Sequence, residues 1–192
     1  MAYLNLSQFK GARDIEGSGD DATIALFIDA ASKAIDNYCN RTFEGEVEER
    51  TFDTPHDRTL WLDDDLCSIT SITNGDGSSI DSSQYVTKPR NAFARGTPIY
   101  AIRLKSQSPV YWQSDNGEYE DAITVEGVWA YSESPPHDIV QAALMLTAHY
   151  YDSKESVGGE AVIIPGVSVR IPQGMPTAVR NILDNGYVKE FG

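Results

Sequence analysis

The segment from Pro135 to Asp152 is the feature that most constrains the fold of this chain. It predicts a helix about 27 Å long, with Ser134 as its cap and two prolines in its first turn. Its surface is apolar on nearly every side, interrupted only by Gln141, Thr147 and His149. Such a helix must be buried all round, so either the rest of the domain wraps it or a neighbouring copy covers one side.

Two shorter helices are predicted before and after this central one. From Asp20 onward, apolar residues recur at the spacing of one helix face, at Ile24, Phe27, Ile28, Ala31, Ile35 and Tyr38. Residues 1–19 are expected to form an extended arm or a short helix. Near the end of the chain, Pro176 can open a short helix that ends near Asn185 and Gly186.

Between the first two helices the hydrophobic period changes to two, which is typical of strands. The predicted strands are Val47 to Asp53, Thr59 to Leu62, Ser68 to Thr73, Gln84 to Thr87, Ile99 to Leu104 and Ala122 to Tyr131. The order helix, sheet, helix predicts an α+β fold rather than a βαβ sheet. We therefore expect a single domain over residues 1–192, with an antiparallel β module inserted at 44–131.

The segment after the central helix is predicted as a loop followed by a hairpin or an extended arm, over residues 153–174. Its two strands are Ala161 to Ile164 and Val167 to Ile171, which flank Pro165 and Gly166. The last residues, 187–192, form a C-terminal tail.

The net charge of −14 disfavours direct binding of nucleic acid, because phosphate contacts need a cationic surface. No apolar run reaches the ~18 residues of a membrane helix, and the N-terminus has no hydrophobic secretion core. We therefore expect no membrane contact and assembly in the cytoplasm. The two cysteines, Cys39 and Cys67, lack metal or disulfide spacing and are expected to be plain buried thiols.

The sequence contains no constellation that predicts catalysis, a cofactor or a metal. His56, His137 and His149 have no metal-motif spacing, and nucleophile-elbow, P-loop and GxGxxG patterns are missing. The run Asp63-Asp64-Asp65 is interpreted as a solvated strand end, because consecutive strand residues point to alternate faces. The acids between Asn74 and Asp81 are interpreted as a hairpin turn.

One basic patch stands out against the acidic background, formed by Lys88, Arg90, Arg95, Arg103 and Lys105. Two interpretations are open. The patch is a solvated loop, or it is a docking site for an acidic partner, which could be another copy of this acidic chain.

Taken in order, several short motifs resemble the head-tail connector family of tailed bacteriophages, also called adaptor or head-completion proteins. The helix end IDNYCNRTF at residues 35–43 is similar to the family's "I..YC.R.F". The segment ITVEG at 123–127, followed by a proline-initiated helix ending in Tyr150-Tyr151, resembles "V.V...Y…P..I..A…L….Y". A late "P..V...L" is visible as Pro176, Val179 and Leu183. The family's glycine-tyrosine pair after the central strand is replaced here by Trp129-Ala130-Tyr131.

The resemblance implies a helical connector core and a structural virion protein without catalysis or cofactor. Such proteins form a ring of about twelve copies beneath the portal, at the joint between capsid and tail. The ring extends a channel through which DNA passes without specific binding, and it contacts the portal and a tail-completion or stopper protein. The candidate interface residues are Arg41, Phe43, Arg90, Arg95, Tyr150, Tyr151, Tyr187, Val188 and Phe191.

A second hypothesis comes from a different class of protein. In it, the chain is a β-rich binding module for a carbohydrate or a host protein, with Tyr111, Trp112 and Tyr119 exposed along a groove. Such a module would stay monomeric at all concentrations.

Overall fold

The computed structural model describes residues 2–154, 160–164, 167–171 and 174–189. The chain divides into two compact units. The first, called the helical unit below, comprises residues 1–40 and 135–192, and the second, called the β unit, comprises residues 41–134. The predicted β module, residues 44–131, lies inside the second unit.

The elements of the described residues follow the order expected of an α+β chain, and that fold class is confirmed. In chain order they are α1 (Leu6–Ala12), α2 (Asp21–Cys39), β1 (Val47–Phe52), β2 (Thr59–Leu66), β3 (Ser68–Thr73), the 3-10 turn Ser82–Gln84, β4 (Tyr85–Lys88), α3 (Ala92–Arg95), β5 (Ile99–Leu104), β6 (Ile123–Val128), α4 (His137–Asp152), β7 (Glu160–Ile164), β8 (Val167–Ile171) and α5 (Thr177–Asp184).

The helical unit is built on the packing of α2 against α4, with α1 and α5 beside them. Their shared core consists of Phe9, Ile24, Phe27, Ile28, Ala31, Ile35, Cys39, Ile139, Ala142, Ala143, Leu146, Tyr150, Val179 and Leu183. Each fully buried large apolar side chain contributes about 1.5–3 kcal/mol, so this core is the main source of the unit's stability. None of the helices in the described residues combines the length and the hydrophobicity of a membrane span.

Helix α4 differs from its prediction in two ways. It begins at His137 rather than Pro135, because Pro136 has an extended ψ and a residue before proline avoids the helical region. The N-cap is Pro136 instead of the predicted Ser134, and no side chain forms a capping hydrogen bond. It is also not buried all round. Val140, Leu144, Met145 and Ala148 are only half-buried, and they form a stripe along one side of the helix.

The β unit contains two three-stranded antiparallel sheets, with strand orders β1-β6-β3 and β2-β5-β4. Their buried faces share one apolar cluster, which includes Leu60, Leu66, Ile72, Ile102, Leu104, Ile123, Val125 and Trp129. Strand β6 passes very close to β3 at Gly127, where an added Cβ would lie 2.1 Å from the Ser68 carbonyl oxygen. Glycine is therefore required at that position.

The acidic run in β2 was predicted to be a solvated strand end, and this is wrong for Asp65. Strand β2 continues to Leu66, and Asp65 is buried with its side chain 8% exposed. A buried carboxylate needs a partner, and the Arg41 guanidinium lies 3.4 Å away. Beyond α4, in the segment predicted as a hairpin or an extended arm, β7 and β8 pair antiparallel, with Glu160 opposite Ile171.

Candidate functional site

The β unit brings four residues of the predicted basic patch together. Lys88, Arg90, Arg103 and Lys105 line one cavity of about 340 Å³, called the basic pocket below. The β4–β5 register explains the convergence, because Val86 lies opposite Arg103 and the chain continues from β5 directly into Lys105. The fifth predicted residue, Arg95, ends α3 and does not line this pocket.

The cations of the pocket have few partners within the unit that carries them, although Lys105 Nζ donates to the Ser83 carbonyl at 2.6 Å. Residues 41–134 contain eight basic and seventeen acidic residues. Arg41 and Arg50 form ion pairs, and Arg58 donates hydrogen bonds to the carbonyls of Lys105, Ser108 and Val110. The four pocket residues and Arg95 form no ion pair with a carboxylate among the described residues, so their charges are available to a partner.

Exposed aromatic side chains lie next to the basic pocket. Trp61 and Tyr100 stack with ring centroids 6.1 Å apart, and the Lys88 ammonium lies 5.3 Å from the Trp61 centroid. Trp61 is 61% exposed and Tyr100 is 49% exposed, whereas Phe93, in α3, is 80% exposed but lines a different cavity with Cys67 and Tyr131. Aromatic rings left in water beside cations are typical of surfaces that a partner covers.

A second unneutralised surface lies at one end of the β1-β6-β3 sheet. It consists of Asp53, Asp115, Glu118, Glu120 and Asp121, called the acidic loop below. The backbone folds it into place, since Asp121 N–H donates to Asp53 at 3.0 Å and Thr54 N–H donates to the Tyr119 carbonyl at 2.8 Å. Glu120 and Asp115 raise the pKa of the Glu118 carboxyl by hydrogen bonding and repulsion. No Lys or Arg of the described residues forms an ion pair with these acids.

Two of the predicted interface residues, Arg41 and Phe43, are packing residues instead. The Arg41 side chain is only 12% exposed, lies against Asp65 and covers the Tyr131 ring at 5.2 Å. Phe43 is fully buried, with its ring 5.5 Å from that of Tyr131. Both side chains pack at the start of the β unit against Tyr131, which follows β6, so little of either is exposed in a single copy.

The predicted interface residues of the helical unit have different environments. Tyr150 is 6% exposed and belongs to the core. Tyr151 is half-buried and donates to Asp20 at 2.7 Å. Tyr187 is also half-buried, whereas Val188 is 38% exposed, and Lys189 N–H bonds to the Cys39 carbonyl at 2.9 Å. The tail therefore begins packed on this unit, and Phe191 lies outside the described residues.

One of the three aromatic residues of the binding-module hypothesis does not lie on the surface. Tyr111 and Tyr119 are each 58% exposed, but Trp112 is buried at 8%. The buried Asn74 amide places this segment, because it donates to the Tyr111 carbonyl and accepts from Gln113 N–H, both at 2.9 Å. The Trp112 side chain consequently points into the core rather than toward a ligand.

Among the described residues, no group of three or more His, Cys, Asp or Glu residues is arranged to hold a metal ion. Cys39 is buried and Cys67 half-buried, and burial raises the pKa of the Cys67 thiol, which disfavours the reactive thiolate.

Comparison with known proteins identifies the class. The chain belongs to the head completion protein family, whose sequence model matches residues 2–187. This membership confirms the connector resemblance and gives the chain a structural role in a phage-type virion. No curated protein matches the sequence.

Solved structures of similar fold come from gene transfer agent (GTA) particles. A protein in the neck of the empty particle, computed with C6 symmetry, has 15% identity and a TM-score of 0.53, with 91% of this chain and 94% of that chain covered. A protein in the neck of the native particle, computed with C12 symmetry, has 16% identity and a TM-score of 0.52, with 91% and 93% covered. At these identities the likeness concerns the fold.

Proposed function

We propose that this chain is a connector of the virion neck, where about twelve copies form a closed ring beneath the portal and join the head to the tail. The observation that carries the proposal is the head completion family match over residues 2–187. The fold shared with GTA neck proteins supports the location, and the C12 symmetry of one such neck supports the copy number.

The charge of the chain fits a channel lined by protein. Each copy carries −14, so a ring multiplies a negative potential that repels the DNA backbone. DNA then passes without being held, because holding it needs phosphate contacts from cations. The ring acts by shape and charge, with neither catalysis nor a cofactor.

The portal contact is assigned to the C-terminal tail, and a stopper or tail-completion protein binds elsewhere on the ring. Val188 is exposed beside the packed Lys189, so a hydrophobic side chain is presented where the tail leaves the helical unit. Val188 and Phe191 are the proposed anchors. The half-buried stripe of α4 is the surface that a neighbouring copy is proposed to cover in the ring.

The decisive experiment is electron microscopy of particles made by a phage genome with a stop codon in this gene. We expect full or empty heads without tails, together with free finished tails. Supplying the wild-type chain from a plasmid should restore tailed particles. Normal tailed particles without any supply of the chain would overturn the proposal.

A further inference from the structure

We propose that the basic pocket of one copy receives the acidic loop of the next copy in the ring. The inference rests on the proposed ring and names the surfaces that build it. The basic pocket supplies four cations without an ion-pair partner among the described residues, from Lys88, Arg90, Arg103 and Lys105. The carboxylates of a neighbouring copy's acidic loop have the opposite charge and would pair with these cations.

The acidic loop has the properties that such a pocket requires of its occupant. It presents five carboxylates held by backbone hydrogen bonds, so little order has to be gained on docking. A hydrogen bond with Glu120 and repulsion from Glu120 and Asp115 raise the pKa of Glu118, and nearby cations would relieve that repulsion. Tyr119 stands 58% exposed among the acids, and it can pack on the Trp61–Tyr100 stack beside the pocket.

The two surfaces belong to different sheets of the same unit. The pocket lies on β4 and β5, whereas the acidic loop leads into β6, whose Ile123 pairs with Phe52 of β1. Two distinct complementary patches on one chain make a head-to-tail contact. Contacts of this kind propagate from copy to copy and form a ring when the rotation closes.

Phosphates of DNA are the competing occupant, and the observations favour the acidic loop. The β unit has a net charge of −9, which repels a polyanion outside the pocket. A cavity of about 340 Å³ accommodates a few side chains rather than a duplex. DNA binding by the pocket is therefore one of the results that the experiment below distinguishes.

The test is a charge swap in the plasmid-supplied chain. The pocket reversal is Arg90→Glu with Arg103→Glu, and the loop reversal is Glu118→Lys with Glu120→Lys. Matched controls reverse the same number of exposed charges elsewhere: Lys33→Glu with Arg180→Glu, and Glu46→Lys with Glu49→Lys. Circular dichroism and thermal melting of each purified variant establish that it folds like the wild type.

Each reversal alone should lower the fraction of tailed heads at least about tenfold, because like charges then face each other. The combined quadruple variant should recover most of the wild-type fraction, and both controls should stay within about twofold of it. Reversals that support tailing as well as the wild type would overturn the inference while leaving the ring intact.

Two further results also overturn the inference. A quadruple variant as defective as the pocket reversal would show that the acidic loop is not the occupant. The pocket would be assigned to phosphate if purified wild-type protein bound a DNA duplex and the pocket reversal did not. In that case the loop reversal would also support a wild-type fraction of tailed heads. Tailed particles from the stop-codon genome alone would instead refute the proposed function itself.

Discussion

The two units of this chain differ in how many of their surface charges form ion pairs and in how many large hydrophobic side chains they expose. In the helical unit several surface cations form ion pairs with carboxylates of the same unit, as Lys10 does with Asp21 at 2.7 Å and Lys154 with Asp20 at 2.9 Å. In the β unit the basic pocket and the acidic loop remain unpaired. Of the large hydrophobic side chains that are exposed among the described residues, six lie in the β unit and only Val188 in the helical unit.

This difference indicates that the two units contribute differently to folding and to assembly. The helical unit pairs several of its surface charges and buries most of its large apolar side chains in one core. The β unit leaves complementary charges and rings in water, which adds nothing to the stability of a single copy. Substitutions in the helical core should therefore affect folding, whereas substitutions on the β surface should affect assembly.

The largest effect is expected from Leu146→Asp in α4. Leu146 is fully buried, so the variant places a carboxylate in the core and should lose about 5 kcal/mol or more of unfolding free energy. The measurement is chemical denaturation followed by circular dichroism. Gln141→Asp, on the exposed side of the same helix, is the control and should remain folded. A Leu146→Asp protein with wild-type stability would refute the role of α4 as core.

A smaller effect is expected from Gly127→Ala in β6. The new Cβ would meet the Ser68 carbonyl at 2.1 Å and the Leu66 side chain at 2.8 Å, so the strands must move apart. We expect a loss of about 1–3 kcal/mol, measured as a lower thermal midpoint. Gly11→Ala is the control, because nothing lies within 4 Å of its added Cβ and alanine favours α1. Equal midpoints for the two variants would contradict this account of β6.

The smallest effect concerns the pH dependence of the helical unit. Hydrogen bonds from Lys154 and Tyr151 lower the pKa of Asp20 below its ordinary value of 3.8. The folded carboxylate thus holds its proton less tightly than the unfolded one, so its contribution to stability is complete above the unfolded value and is lost as the pH falls through the lower folded pKa. Asp20→Asn should therefore show a shallower loss of stability between about pH 5 and pH 3 than the wild type.

The matched control for this effect is Asp29→Asn, which removes an exposed carboxylate that forms no hydrogen bond in the described residues. Urea midpoints at several pH values give the comparison. The same pH profile for Asp20→Asn and the wild type would show that the bonds to Tyr151 and Lys154 do not stabilise the fold.

Local patterns predicted most of the elements but not the partners of their polar residues. Strands β3 and β5 have the predicted limits, because turn residues and a period of two mark both ends. Strand β2 extends four residues beyond its prediction, since Asp64 and Asp65 are offset by Arg50 and Arg41. Those arginines are distant along the chain, so no local pattern reveals them.

The candidate surfaces were predictable to different degrees. The basic patch was visible because its five residues lie within eighteen positions, although only the register of β4 and β5 selects the four that converge. The acidic loop has a comparable signal in the run DNGEYED, with four acids around an Asn-Gly turn. The stacking of Trp61 on Tyr100 has no signal in the sequence, since the two rings meet only through strand pairing.

The short helix α1 does have a local sequence signal, which is the capping box formed by Asn5 and Gln8.

The exposed segment between β4 and β5 has a consequence for protease footprinting. Trypsin cleaves after exposed Lys and Arg but not before proline, so Lys88-Pro89 resists it while Arg90 and Arg95 are open to cutting. A nick there leaves both halves joined by the β4–β5 ladder. The cleavage rate at Arg90, compared with that at Arg95, therefore reports whether the neighbouring pocket is covered in an assembled particle.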